Sequence, residues 1–300
     1  MKGFGVLASL IQVLAFLHFM PKLLHAVWPY CLDQMSFYGI TELHIMVFGL
    51  QIWHLLWLFI CNFTMYLIYH FEPAFLQKYK INKEPWPWEA NREEWINLMK
   101  RSCLLIFLNN VISVTIIVYL DLYFSDFKSK YSFAIEDLPG SWKMLCTYIF
   151  LMLCEDMAFH FFHRLAHHRL LYPHFHKFHH NYTTTVSLAG EHFHPVDFFL
   201  GALIPISLGP MLLGRHLHMT TYMVWIVLRT MESVDAHSGF EFPWTPFRII
   251  PFAASATYHD YHHSHNKGNY SSFFTLWDSI MGQNTDYYKY CSNKKTDGKD

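Results

Sequence analysis

The chain has 300 residues, 53% of them apolar and 19% aromatic, and only 15% charged, against about a quarter in soluble domains. That deficit excludes an ordinary soluble globule. The net charge of −1 provides no field to hold a nucleic-acid backbone, so no nucleic-acid partner is expected, and the six scattered cysteines, none in a CxxC pair, indicate neither a disulfide framework nor a zinc knuckle.

The first apolar run, Phe4 to Met20, follows Lys2 and meets Pro21. Residues 24 to 26 read Leu-His-Ala, which is not a small-x-small cleavage site, so a retained membrane anchor is expected rather than a signal peptide. A second run, Leu43 to Phe71, is long enough to cross the roughly 30 Å hydrocarbon layer. Gln77 to Arg101 then reads as a soluble loop in which Pro85 and Pro87 break any helix and Trp86, Trp88 and Trp95 form an interfacial belt. Cys103 to Leu120 is a third span and Met144 to about Phe162 a fourth. Phe198 to Leu213 and Met219 to Leu228 make a further apolar hairpin, spanning or re-entrant, broken at Gly209-Pro210 and Gly214. Six cations between 78 and 101 mark that loop as cytosolic. The parity of the following runs returns every later histidine cluster to the same face.

Histidine is the residue that needs explaining: there are 22, ten between positions 160 and 194 and four between 259 and 265. His163-Arg-Leu-Ala-His167 places two imidazoles one helical turn apart. His176-Lys-Phe-His179-His180 and His259-Asp-Tyr-His262-His263 both repeat HxxHH, whose positions are expected to face a common point. His237 and His194 are the best candidates for a ninth or tenth ligand, and His160 shares a face with His163 and His167 but reads as packing. His18, His25, His44, His54, His70, His216 and His218 read as packing or interfacial residues.

One catalytic metal uses about three protein ligands and a structural one four, so this many imidazoles implies two metals. Imidazole suits zinc, copper, iron and nickel alike. A paired centre at the end of a lipid-embedded bundle has access to apolar substrates, and attack on their C–H bonds requires a redox metal with oxygen, which favours iron. Glu155, Asp156, Asp197, Glu232, Asp235 and Asp260 are candidates to orient ligand N–H groups. The chain has no nucleotide-binding glycine loop, haem-attachment motif or flavin motif. Electrons are therefore expected from another protein.

At these three boxes, over about residues 140 to 290, the chain resembles the fatty acid hydroxylase and sterol desaturase superfamily of membrane di-iron oxidases. Leu228-Arg-Thr-Met-Glu232-Ser-Val-Asp-Ala-His237-Ser-Gly-Phe-Glu-Phe-Pro-Trp-Thr-Pro, with Tyr258-His-Asp-Tyr-His-His263, is similar to the 4-methylsterol monooxygenases, particularly the plant type. His194-Pro-Val-Asp-Phe-Phe-Leu and Phe274-Thr-Leu-Trp-Asp-Ser-Ile also resemble the sterol C-5 desaturases. The resemblance implies an endoplasmic reticulum enzyme that oxidises a C-4 methyl group of a sterol with O2 and NAD(P)H-derived electrons delivered by cytochrome b5 and its reductase. By position it implies His163, His167, His176, His179, His180, His259, His262 and His263 as ligands of two iron ions, with His237 the ninth. The expected fold is all-α, a polytopic membrane bundle carrying a cytosolic histidine-rich di-metal cap. Residues 1–102 would be anchor helices with the Trp/Glu-rich loop, and 103–300 the catalytic domain. The competing readings are a sterol C-5 desaturase, a sterol side-chain oxidase and a non-catalytic zinc-binding membrane protein.

Overall fold

The structure is a computed structural model that describes residues 3–297. Among them there are helices and three isolated bridges but no strand. Five helices are long and apolar enough to cross a membrane: α1 Gly3–Phe37, α2 Glu42–Phe71, α3 Arg92–Phe124, α4 Ser141–Ala166 and α5 Pro195–His216. A sixth, α6 Met219–Ala236, lies inside the bundle, with Met219, Trp225 and eight further residues buried. Two later helices, α7 Ala256–His265 and α8 Thr285–Asp297, belong to the cap.

The spans are longer than the apolar runs indicate. α1 continues through Pro21 and Pro29 instead of ending near Met20. Proline removes one intrahelical bond, but in lipid the alternative to helix leaves several backbone groups unsatisfied, so the helix persists. At about 1.5 Å per residue α1 is far longer than the hydrocarbon layer. Its outer face carries exposed Leu7, Ile11, Leu14 and Phe19, as a lipid-facing helix should. α3 begins at Arg92, and a short helix covers Pro87–Ala90, so half of the expected soluble loop is helical. Trp86 is not an interfacial residue either: it is 1% exposed, stacked on Trp88 and packed against Tyr69 and Phe240.

α2, α3 and α5 each contain a π-helical segment, at Ile45–Gly49, Leu108–Ser113 and Phe199–Leu203. Such wide turns redirect the helix face and often mark functional positions. α5 reverses into α6 at Gly214, whose φ of 52° is left-handed backbone that glycine adopts without a Cβ penalty. α4 and α5 approach closely at Gly209, where a Cβ would lie 2.7 Å from Leu151 Cδ2.

Six helix ends gather at one pole. The start of α1 is tied there by Ser9 Oγ donating to Thr245 O and Gln12 Nε2 to Trp244 O, and the end of α2 by Tyr69 OH donating to Ser238 O. Ser102 near the start of α3 contacts His192 and Tyr182, while α4 ends, α5 starts and α6 ends at histidines of the clusters or beside them. At the opposite pole Trp28 Nε1 donates to Phe133 O and Ser132 pairs with Leu217. The even parity expected from the apolar runs is thus the arrangement of the helices, and all the histidine boxes meet.

Candidate metal centre

The eight histidines of the boxes, together with His237, fall into two groups, in each of which the ligand-type nitrogens lie within 4.8 Å of one another. His163, His167, His176, His180 and His262 form one; His179, His237, His259 and His263 form the other. Neither HxxHH box therefore faces a common point, as its spacing led one to expect. On α7 the residues at i and i+4, His259 and His263, share one side of the helix, while His262 lies about 100° of rotation from His263 and joins the other group. His176–Asn181 is a 3₁₀ turn rather than an α-helix, and it likewise sends His179 to one group and His176 and His180 to the other. His163 lies in the last turn of α4, and His167 caps it, its backbone N–H donating to His163 O.

Five outer nitrogens are fixed, while Nδ1 of His179 and His180 is buried without a hydrogen-bond partner. His163 Nδ1 donates to Tyr270 O, His262 Nδ1 to Gly268 O, His263 Nδ1 to Tyr182 O and His237 Nδ1 to Ser233 O, at 2.6 to 2.9 Å. His176 Nδ1 donates to Asp197 Oδ2 at 2.8 Å. In a neutral ring this leaves Nε2 as a bare lone pair. Those lone pairs point at one another: His259 Nε2 is 2.8 Å from His237 Nε2 and 3.2 Å from His263 Nε2, and it can give a proton to only one of them. His167 Nε2 stands in the same relation to His262 and His180. Nε2 of His163 and His176 is buried without a hydrogen-bond partner. Protonation is no remedy. Burial, and then the neighbouring imidazoles, push His179, His180, His259 and His263 well below the ordinary histidine value, and burial brings His237 down to about 4. Converging lone pairs whose protonation is disfavoured fit one cation per group.

Of the six carboxylates considered as ligand orienters, only Asp197 touches a histidine of the groups. Glu155 and Glu232 bind Arg229, Asp235 binds Arg248, and Asp260 accepts from Thr185 Oγ1. Asp156 accepts the backbone N–H groups of Ser272 and Phe274. Buried carboxylates take the nearest cation or N–H, and here those lie off the histidines. Asp278, absent from that set, accepts from Tyr258 OH and from the N–H groups of Tyr270 and Ser271, and so holds the segment whose Tyr270 carbonyl orients His163. His160 lies 3.4 Å from Asp278 and His194 caps α5; neither is in a group.

A cavity of about 1100 Å³, its open mouth included, runs from apolar residues of the bundle to the four-histidine group. Met46, Leu50, Val118 and Ile206 line the apolar part, and of the nine grouped histidines only His179 and His237 reach it. His54, read from the sequence as a packing or interfacial residue, also lines it, with Asn110, Glu191, Arg229 and Thr230. α2 thus completes the cavity, which is not confined to the chain beyond residue 102.

The fatty acid hydroxylase family matches residues 148–283. Methylsterol monooxygenase 1 of Danio rerio is 32% identical over 245 residues, covering 76% of this chain and 75% of the relative. The Rattus norvegicus protein of the same name is 30% identical over 287 residues, covering 91% and 87%. A very-long-chain aldehyde decarbonylase of Oryza sativa is 34% identical over 215 residues, covering 71% and 75%. No solved structure matches the chain. With the three histidine boxes inside the matched region and relatives aligned over most of their own length, the chain belongs to the fatty acid hydroxylase family.

Proposed function

We propose that the chain is a membrane oxygenase that oxidises a C-4 methyl group of a sterol. The observation that carries this reading is the cavity: it lies between the membrane helices, is lined largely by apolar side chains, and of the grouped histidines reaches only His179 and His237. Two relatives bear the name methylsterol monooxygenase, which agrees with it.

The five-histidine group would hold one iron and the four-histidine group the other. Bound iron would supply O2 activation. The chain's own residues do the rest. Backbone carbonyls and Asp197 keep Nδ1 of His163, His176, His237, His262 and His263 protonated, so that these five rings present their Nε2 lone pairs. Buried packing around the groups excludes bulk water. A rigid sterol entering laterally from the bilayer has its only polar group at one end, and the C-4 methyl lies next to the carbon bearing it. Side-chain carbons lie about a steroid nucleus away. Glu191 and Ser233 put polar groups beside the His237 that lines the cavity, so the hydroxyl-proximal carbons are the ones presented.

Electrons would come from NAD(P)H through cytochrome b5 and its reductase, since the sequence carries no nucleotide, flavin or haem motif of its own. We place the protein in the endoplasmic reticulum membrane with the histidine cap cytosolic, the side given by the cations between 78 and 101. The test is expression in yeast lacking its C-4 sterol oxidase. Restored growth with a fall in 4,4-dimethylsterols is the expected result. A new Δ5 double bond, an altered side chain, or conversion of a long-chain aldehyde with 4-methylsterols unchanged would overturn the assignment.

A further inference from the structure

Among the polar side chains that line the cavity, four from four different segments meet: His54 of α2, Asn110 in the π-helical part of α3, Glu191 just before α5, and Thr230 of α6. The Thr230 hydroxyl donates to Ile226 O, so its oxygen accepts from His54 Nδ1 at 3.2 Å. Asn110 Nδ2 donates to Glu191 Oε2 at 3.0 Å. That leaves His54 Nε2 facing Glu191 Oε1 at 3.5 Å, longer than an ordinary hydrogen bond, with both side chains mostly buried. Glu191 Oε1 therefore retains capacity for one donor within the cavity.

The segment that carries Glu191 is fitted against the four-histidine group on both sides. Gly190 is bare because a Cβ there would lie 3.1 Å from His237 Nδ1 and would clash with Ser233 Oγ. The Phe193 ring stacks on His179, with centroids 4.6 Å apart and planes 7° from parallel. Glu191 lies between these two contacts. No member of the five-histidine group lines the cavity.

We propose that Glu191 and His54 are a hydroxyl anchor for an alcohol-bearing polycyclic lipid, holding the carbons next to the hydroxyl-bearing carbon against the four-histidine group. The inference rests on the sterol reading above and adds the residues that set orientation and regiochemistry. A hydroxyl donates its proton into the gap between two acceptors, Glu191 Oε1 and the Nε2 lone pair of His54, whose Nδ1 is already spent on Thr230. A ketone or an ether in that place brings an acceptor to an acceptor, and a site built to bond a hydroxyl discriminates strongly against an analogue that cannot donate.

The experiment uses full-length metal-loaded protein in lipid nanodiscs and measures binding of a radiolabelled 4,4-dimethylsterol with a free 3-hydroxyl. Its 3-ketone and 3-methyl ether serve as competitors. Wild type should prefer the alcohol at least tenfold. In Glu191→Gln the side-chain oxygen satisfies Asn110 and the amide NH2 turns to the cavity, so the site presents a donor. The preference should fall below threefold, with metal content unchanged. Equal affinity of wild type for all three compounds, or an unchanged preference in Glu191→Gln, overturns the anchor and leaves the sterol reading standing. If wild type binds none of the three, the sterol reading fails and the anchor with it. The wild-type comparison decides the matter even where the variant does not fold.

Discussion

Replacing Asp197 by asparagine should weaken one metal and spare the other. His176 and Asp197 are 2% and 4% exposed, and the 2.8 Å contact between Nδ1 and Oδ2 is the only one Asp197 makes with a histidine of either group. The carboxylate accepts, so Nδ1 keeps its proton and Nε2, buried and without a partner, is left as a lone pair toward the five-histidine group. An amide removes the charge and offers an NH2 that opposes this tautomer. Loss of such a supporting partner costs about 10- to 100-fold in metal affinity, or about 1.4 to 2.7 kcal/mol. Asp197 also lies in the first turn of α5, where a carboxylate is worth about 0.3 to 1 kcal/mol. Global stability should therefore fall by less than the metal affinity does. The assay is chelator competition on purified protein, with metal counted in the retained fraction. With one metal in each group, as proposed, wild type should release the two together or in two steps near each other. The Asp197→Asn protein should release one at a 10- to 100-fold lower chelator concentration and hold the second as wild type does. Equal weakening of both metals, or of neither, would refute the division into two groups.

Two further outcomes test the scaffold. Gly209→Val should destabilise the α4–α5 contact by about 2 to 3 kcal/mol, an overpacking cost, because even a Cβ meets Leu151 Cδ2 at 2.7 Å and Leu151 Cα at 3.3 Å; a thermal midpoint equal to or above wild type would contradict that approach. A glycosylation acceptor inserted at residues 126–130 should be modified in microsomes while one inserted at 82–85 should not, because the two segments lie at opposite poles of the bundle and the second adjoins the cations; the reverse pattern would invert the proposed orientation.

The helical spans were legible because hydropathy is a property of each segment alone. Their ends were not, because ends depend on what surrounds them. Pro21 stops a helix in water but not one whose neighbours leave no other partner for the backbone. Trp86 has the composition of an interfacial residue, yet Tyr69 and Phe240, distant in sequence, enclose it. The π-helical segments carry no signal of their own in a run of apolar residues.

The same distinction governs the site. Histidine spacing is local, so the residues that converge could be named; their partition into five and four depends on the phase of α7 against the turn at 176–181, which no spacing specifies. Carboxylate roles failed for a related reason: Arg229 and Arg248 compete for Glu155, Glu232 and Asp235, and the winner is set by packing between elements. His54 shows what single-residue reading leaves out, since it lines the cavity beside Glu191. A lone histidine in a span reads as packing when taken singly. Yet an ionisable residue at membrane depth is functional by default, and its partners could have been sought by depth. His54 lies 17 residues before the end of α2 at Phe71, and Asn110 lies 18 residues after the start of α3 at Arg92, so in adjacent antiparallel helices they sit at nearly the same level. Polar residues matched in depth on neighbouring spans share a solvent-free layer, and each lowers the cost of burying the other. That layer is where Glu191 enters from the cap, joining Asn110 and His54 at the mouth of the four-histidine group.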